Sequence, residues 1–196
     1  MWRAVEFPYK ELPGFSKKLL GDHFKLYHGY VDRINKLEPE IEAFSPKGDK
    51  NAFQRLKADE GFLRNAIALH ELYFEQLTPG GSGSAEDVFA CVTNDLMEHL
   101  ALTAMGSTGW AILAADLYED QTFVFTMKEH SQGFVAGAWP VVVVDCYEHA
   151  YMREYGTDKE AYLEAFFKNV DWEVVKKRLV DSSEMRAICA GQAAVR

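Results

Sequence analysis

Residues 140–152 read PVVVVDCYEHAYM, and the change of character at Asp145 decides how the second half of the chain is built. Four consecutive valines cannot alternate between a wet and a dry face, so Val141–Val144 are expected to form a strand buried on both sides. Asp145 stands where that strand ends, and His149 follows four residues later, directly after Glu148. A carboxylate and an imidazole at a strand-to-helix junction can converge on one cation, and that donor pair suits iron, manganese or zinc. The spacing alone is a weak signal, because an Asp and a His four apart recur without any metal.

Downstream of Asp145 the pattern is helical: YEHAYMREYG (147–156), DKEAYLEAFFKNV (158–170) and DWEVVKKRLVD (171–181). Beyond Asp181 no firm pattern continues. Upstream, Trp139–Asp145, Thr122–Met127 and Trp110–Leu117 are short, apolar and rich in β-branched or aromatic residues. The pieces DLYEDQT (116–122) and HSQGFVAG (130–137) connect them. One helix is expected from Ala85 to Met105.

The first part of the chain reads as two long helices. Ser16 is an N-cap candidate for a helix running to about Leu37, closed by Glu38-Pro39. After the polar loop SPKGDKN (45–51), a second helix is expected from about Asn51 through Leu77. The cluster PGGSGS (79–84) is the best boundary between lobes. The expected fold class is α+β: an N-terminal two-helix antiparallel hairpin (1–81), then a C-terminal α/β domain with a three-stranded antiparallel sheet (82–196).

Composition narrows the function classes. With 196 residues, 48% of them hydrophobic and 26% charged, the chain can bury a substantial core. A formal net charge of -9 argues against nucleic acid as a partner. No apolar run approaches the roughly 20 residues that span a bilayer, so no membrane partner is expected. The start, MWRAVEFPYKELPG, lacks a signal peptide's apolar stretch, which points to a soluble, cytoplasmic protein. Cys91, Cys146 and Cys189 show no CxxC spacing and are read as reduced, mostly buried thiols. A lone helical histidine such as His99, in DLMEHLAL, is read as an ordinary surface or core residue.

The segment DCYEHAYM (145–152) resembles the signature of iron/manganese superoxide dismutases, Asp-x-Trp-Glu-His-Ala-Tyr, which supplies two metal ligands; Tyr147 stands where the family usually has tryptophan. The likeness continues into YLEAFFKNVDW (162–172), through Asn169 and Trp172, and upstream into GSTGWAIL (106–113), where Trp110 corresponds to an active-site wall. NAIALHELYFEQL (65–77) is similar to the family's second-helix pattern and implies His70 as a ligand. In the first helix, Ser16 lies seven residues before His23, the family's cap-to-ligand spacing. The implied metal set is therefore His23, His70, Asp145 and His149, holding one iron or manganese ion per subunit. His28 competes with His23 but falls on a different face of the helix.

Three departures stand out. In HFKLYHGYV (23–31), Tyr27 occupies the place of the family's second histidine. The gateway tyrosine falls on Val31 in an ungapped match; deleting one residue brings in Tyr30, which at seven residues from His23 stays near the same face. Tyr30, with Tyr27 as the alternative, is the expected group for proton delivery. Second, Met152 replaces the tyrosine that in many members bonds the second histidine across the dimer, so that link must be built differently. Third, the solvent-tuning glutamine is absent at Ala66, and its loop position falls on His130 in KEHSQGF (128–134), with Gln132 as the fallback. A histidine there can bond the solvent ligand and can titrate near neutral pH.

The resemblance implies disproportionation of superoxide to dioxygen and hydrogen peroxide, with His130, Tyr30, Tyr27 and Trp110 around the metal. It also implies a homodimer in which Glu148 bonds the partner's ligand histidine. Lys25, Arg33 and Arg153 are the candidates for a basic funnel, although each taken singly is better read as surface solvation. Two other readings stand beside it: a family-like metal-binding protein without dismutase activity, and another non-haem iron enzyme.

Overall fold

A computed structural model describes residues 1–89 and 95–193 of the chain. Helix α1 (Lys17–Glu42) starts where Ser16 Oγ accepts the Leu19 amide proton. Its buried residues, Leu19, Leu20, His23, Tyr27, Val31, Ile34 and Leu37, recur every three to four positions and so line one face. Pro39 does not close the helix as expected. It sits inside the last turn, where its missing N–H removes a single bond and the Ala43 amide still closes onto its carbonyl at 3.0 Å. Helix α2 (Lys50–Glu75) is capped by Asp49 and ends two residues before the expected Leu77.

The expected single helix from Ala85 to Met105 is divided. Residues Ala85–Val88 form α3 and Asp95–Gly106 form α4, with residues 90–94 outside the description. Phe89 leaves helical geometry at φ -108°, ψ 26° and buries its ring against Trp172.

Strands β1 (Trp110–Asp116), β2 (Thr122–Met127) and β3 (Ala138–Asp145) form one antiparallel sheet in the order β2-β1-β3. Register places the site: Trp110 lies opposite both Met127 and Asp145. The start of β1, the end of β3 and the loop leaving β2 toward His130 therefore share one end of the sheet. The only shift among the described pairs falls near Leu113/Ala114, opposite Pro140, a residue that cannot donate to a ladder. Val141–Val144 are all fully buried, with β3 packed against both α2 and α7.

Helices α5 (Glu148–Tyr155), α6 (Lys159–Lys168) and α7 (Trp172–Ala193) complete the chain. Helix α7 runs well past Asp181. Its inward positions are Trp172, Val175, Arg178 and Ser182; beyond Asp181 only the polar Ser182 is buried among the described residues, so no apolar period marks the second half.

The end of α2 is stitched to the α6–α7 connection. The Thr78 amide bonds the Asn169 carbonyl, and the Asp171 amide bonds the Gln76 carbonyl, both at 2.8 Å. Gly81, at φ +73°, passes so close that a Cβ would lie 2.8 Å from the Lys168 carbonyl oxygen. Among the described residues no helix is long and apolar enough to cross a membrane. Cys146 is buried and free, Cys189 is half-buried and free, and Cys91 lies outside the described residues.

Candidate metal centre

Four elements each deliver one side chain to a common point. His23 comes from α1, His70 from α2, Asp145 from the end of β3 and His149 from the first turn of α5, and one donor atom from each lies within 4.8 Å of all the others. Asp145 Oδ2 is the hub, with the Nε2 atoms of His149, His23 and His70 at 3.0, 3.1 and 3.7 Å. His23, His70 and Asp145 are sealed from solvent, whereas the His149 side chain is 28% exposed.

The protonation of this group is set from behind. His70 Nδ1 lies 2.6 Å from the Ala66 carbonyl oxygen, an atom that can only accept, so Nδ1 carries the proton and Nε2 presents a lone pair. That Nε2 is buried without any hydrogen-bond partner. Burial also pushes the His23 and His70 imidazoles below their usual range, so both favour the neutral, ligating form. Burial by itself would raise the Asp145 carboxyl, but the His149 charge and hydrogen bonds from His149 and His23 hold it well below the usual carboxylate range. An anionic oxygen, neutral imidazoles and an orphaned lone pair converging on one point fit a bound cation. Donors spaced about 3–4 Å apart are what ligands near 2.1 Å from one ion require. Three nitrogens and one carboxylate oxygen suit iron or manganese.

Behind this group, the Trp110 indole N–H donates to His130 Nδ1 at 2.9 Å, and the Asn65 side-chain amide donates to the His130 carbonyl at 2.6 Å. Because indole only donates, Nδ1 is the acceptor and a neutral His130 carries its proton on Nε2. Burial lowers its pKa to about 4, so it does not titrate near neutral pH as expected from the sequence. Its ring centroid lies 4.8 Å from Phe62, 5.0 Å from Tyr147, 5.4 Å from Tyr30 and 5.7 Å from His70. Gln132 is exposed and turned toward Glu129, away from this group.

Tyr30 and Tyr27 part company. The Tyr30 ring lies 5.4 Å from His70 and from His130, and burial followed by the nearby Asp145 charge raises its pKa. The Tyr27 hydroxyl donates to Glu71 at 2.6 Å and accepts the Val5 amide proton at 2.8 Å, so its polar end belongs to the seam between α1, α2 and the N-terminal arm. Tyr147 stacks on His149 at 5.2 Å, and its amide donates to Asp145 Oδ1 at 2.9 Å. His28 is half-exposed near Glu6, and His99 is exposed on α4.

Sequence reasoning passed over several neighbours: Phe62 and Asn65 beside His130, Glu71 beneath Tyr27, and Phe74, whose ring lies 4.7 Å from His23. The signal was helical spacing. Phe62, Ala66, His70 and Phe74 follow one another at four-residue steps along one side of α2.

A family model described as iron/manganese superoxide dismutases, C-terminal domain, matches residues 88–178. The chain is 33% identical over 183 residues to "Superoxide dismutase [Fe]" of Aquifex pyrophilus, with 86% of each chain covered. It is 27% identical over 180 residues to "Superoxide dismutase [Mn] 1" of Halobacterium salinarum, covering 88% of this chain and 90% of that one.

Proposed function

The chain belongs to the iron/manganese superoxide dismutase family, and from that premise we propose that it converts two superoxide anions and two protons into dioxygen and hydrogen peroxide at one iron or manganese ion. The observation that carries this is the buried group of His23, His70, Asp145 and His149, with the His70 Nε2 lone pair unpartnered. When bound, the ion supplies one-electron chemistry, alternating between trivalent and divalent states.

The protein's part is to hold the ligands, exclude bulk water and keep protons at defined atoms. His130 would present its Nε2–H to the solvent molecule beside the metal, with Trp110 fixing the tautomer from the opposite nitrogen. Tyr30, whose hydroxyl stays protonated, is the better placed of the two tyrosines for proton delivery. Tyr27 would act as a cross-tie between helices. Trp110 and Tyr147 would keep the cavity narrow. Of the three cations suggested for a funnel, Arg33 is supported best: its guanidinium lies 6.0 Å from the Phe62 ring, which abuts His130. Arg153 is paired with Asp22.

The same reading divides the chain into an N-terminal lobe (1–81) and a C-terminal lobe (82–196), each supplying two ligands. A homodimer with Glu148 at its interface is supported by the exposure of Glu148 and Met152 beside the half-exposed His149. A cytoplasmic location is supported by the free thiols of Cys146 and Cys189.

The test is metal analysis of purified protein, loaded separately with iron and manganese, beside a superoxide-scavenging assay. Near one ion per chain with activity in either form is the expected result. Bound metal with no activity in both forms would reject the dismutase reading.

A further inference from the structure

Helix α5 carries His149, the most exposed of the four ligands, yet it is only eight residues long, about 12 Å. Its first turn is fixed through Asp145, whose carbonyl accepts the Tyr162 hydroxyl proton at 2.6 Å. Its other end packs the Tyr155 ring against Phe15 and Tyr162, and three consecutive side chains bond there to the segment from Gly14 to Asp22 at the start of α1. Arg153 pairs with Asp22 at 3.1 Å. Both carboxylate oxygens of Glu154 accept the Ser16 amide proton, at 3.0 and 3.1 Å. The Tyr155 hydroxyl donates to the Gly14 carbonyl.

These contacts are specific in charge and in shape. Glu154 places a carboxylate at the positive end of the 26-residue α1, at an amide that has no partner within the helix. Gly14, at φ +83°, leaves the room Tyr155 occupies: a Cβ there would lie 2.7 Å from the Tyr155 hydroxyl oxygen and 2.8 Å from the Ala165 side chain. The contacts also bracket the ligands. Asp22 precedes His23, and Arg153 lies one turn beyond His149, so the pair joins the two helices beside the His23 and His149 rings, 4.8 Å apart.

We propose that Arg153, Glu154 and Tyr155 form a latch that docks α5 on the start of α1, and that these positioning residues set how firmly His149 closes the metal group. The inference rests on the reading of His23, His70, Asp145 and His149 as ligands. With the latch open, α5 keeps its hold at Asp145 and the Tyr151 ring stacked on Tyr162 at 5.2 Å, and a tilt about that hold carries His149 away from His23. The other three ligands, held by α1, α2 and the sheet, stay in place.

The experiment compares wild type, Glu154→Ala, Tyr155→Phe and Gly14→Ala, each loaded with manganese and diluted into excess chelator while metal release is followed. Thermal unfolding of each metal-free protein is measured alongside. Phe89→Ala, which removes a buried ring packed on Trp172 of α7, serves as the control for general destabilisation. The expected result is release at least roughly tenfold faster for Glu154→Ala and Tyr155→Phe. Their metal-free unfolding should move little, and Phe89→Ala should release at the wild-type rate. Wild-type release rates in all the latch variants would overturn the proposal, as would rates that track unfolding temperature across the whole set including the control. Failure of wild type to hold manganese at all would instead remove the metal reading, and the latch with it, before any variant is compared.

Discussion

At His70 Nδ1–H donates to the Ala66 carbonyl, leaving the Nε2 lone pair facing Asp145 in a sealed site. His130 is set from behind in the opposite sense, the Trp110 indole N–H donating to Nδ1 so that the proton sits on Nε2. Replacing His130 by Ala should leave metal bound but lower dismutase turnover by about 10–100-fold. Metal content and turnover from about pH 6 to 10 check this, and unchanged turnover across that range would sink any role for the residue. Burial lowers the His130 pKa to about 4 in the metal-free protein, which places its titration below the range where the free imidazole titrates. A second expectation concerns acid. In the metal-free protein His23 and His70 are held neutral by burial, whereas in the unfolded chain they take up protons below about pH 6.5. The unfolded state then binds more protons, so these two groups lower stability as pH drops from 7 to 5. His149 works the other way. Its raised pKa, set by Asp145 against the opposing effect of burial, adds stability that is complete below about pH 6.5 and lost as pH rises through the folded value. Urea midpoints across that range test the balance, and flat midpoints would contradict it. The ligand types were readable in the sequence, but the partner of the Tyr27 hydroxyl was not. Glu71 lies 44 positions away, and only the pairing of α1 with α2 brings it within reach.

Among the elements, those with a clean apolar period were legible and those docked through polar groups were not. Helices α1 and α2 and the three strands lie within a few residues of their expected bounds. Helix α7 was seen only in its first half because beyond Asp181 the polar Ser182 is the only buried position among the described residues, while in that first half Arg178 sits on the inward stripe. That guanidinium donates to the carbonyls of Leu72 and Val141, to Gln76 and to Glu75, joining α7 to the end of α2 and to β3. Gln76 continues the joint by pairing both ways with the Val143 backbone. Arg178→Ala should therefore lower unfolding free energy by roughly 2–4 kcal/mol, because several buried acceptors lose their donor together. Denaturant unfolding of the metal-free protein measures this. Arg178→Lys should restore only part of the loss, since an ammonium cannot reproduce the planar fork. A loss below about 0.5 kcal/mol for the Ala variant would mean that the joint is not a stability element.

For the whole molecule, the consequence of drawing ligands from both halves of the chain is that a bound ion cross-links them. At about 1,000 times its dissociation constant, a ligand that binds only the folded state adds about 4 kcal/mol. Removing the metal should then lower the unfolding temperature by on the order of 10 °C in a chain of this size, as calorimetry before and after chelation would show. An unchanged temperature would mean that the site does not hold metal in the native state. The sequence by itself determined the order of elements, the strand-to-helix turn that carries Asp145 and His149, and the histidine set, because periodicity, capping residues and motif spacing act over one or two turns of chain. Only the tertiary structure decided which ring nitrogen of His130 is free, where the Tyr27 hydroxyl goes, and how α5 is held against α1. Those outcomes depend on groups tens to more than a hundred residues apart, such as Ser16 and Glu154, whose meeting is set by helix packing and sheet register rather than by any local preference.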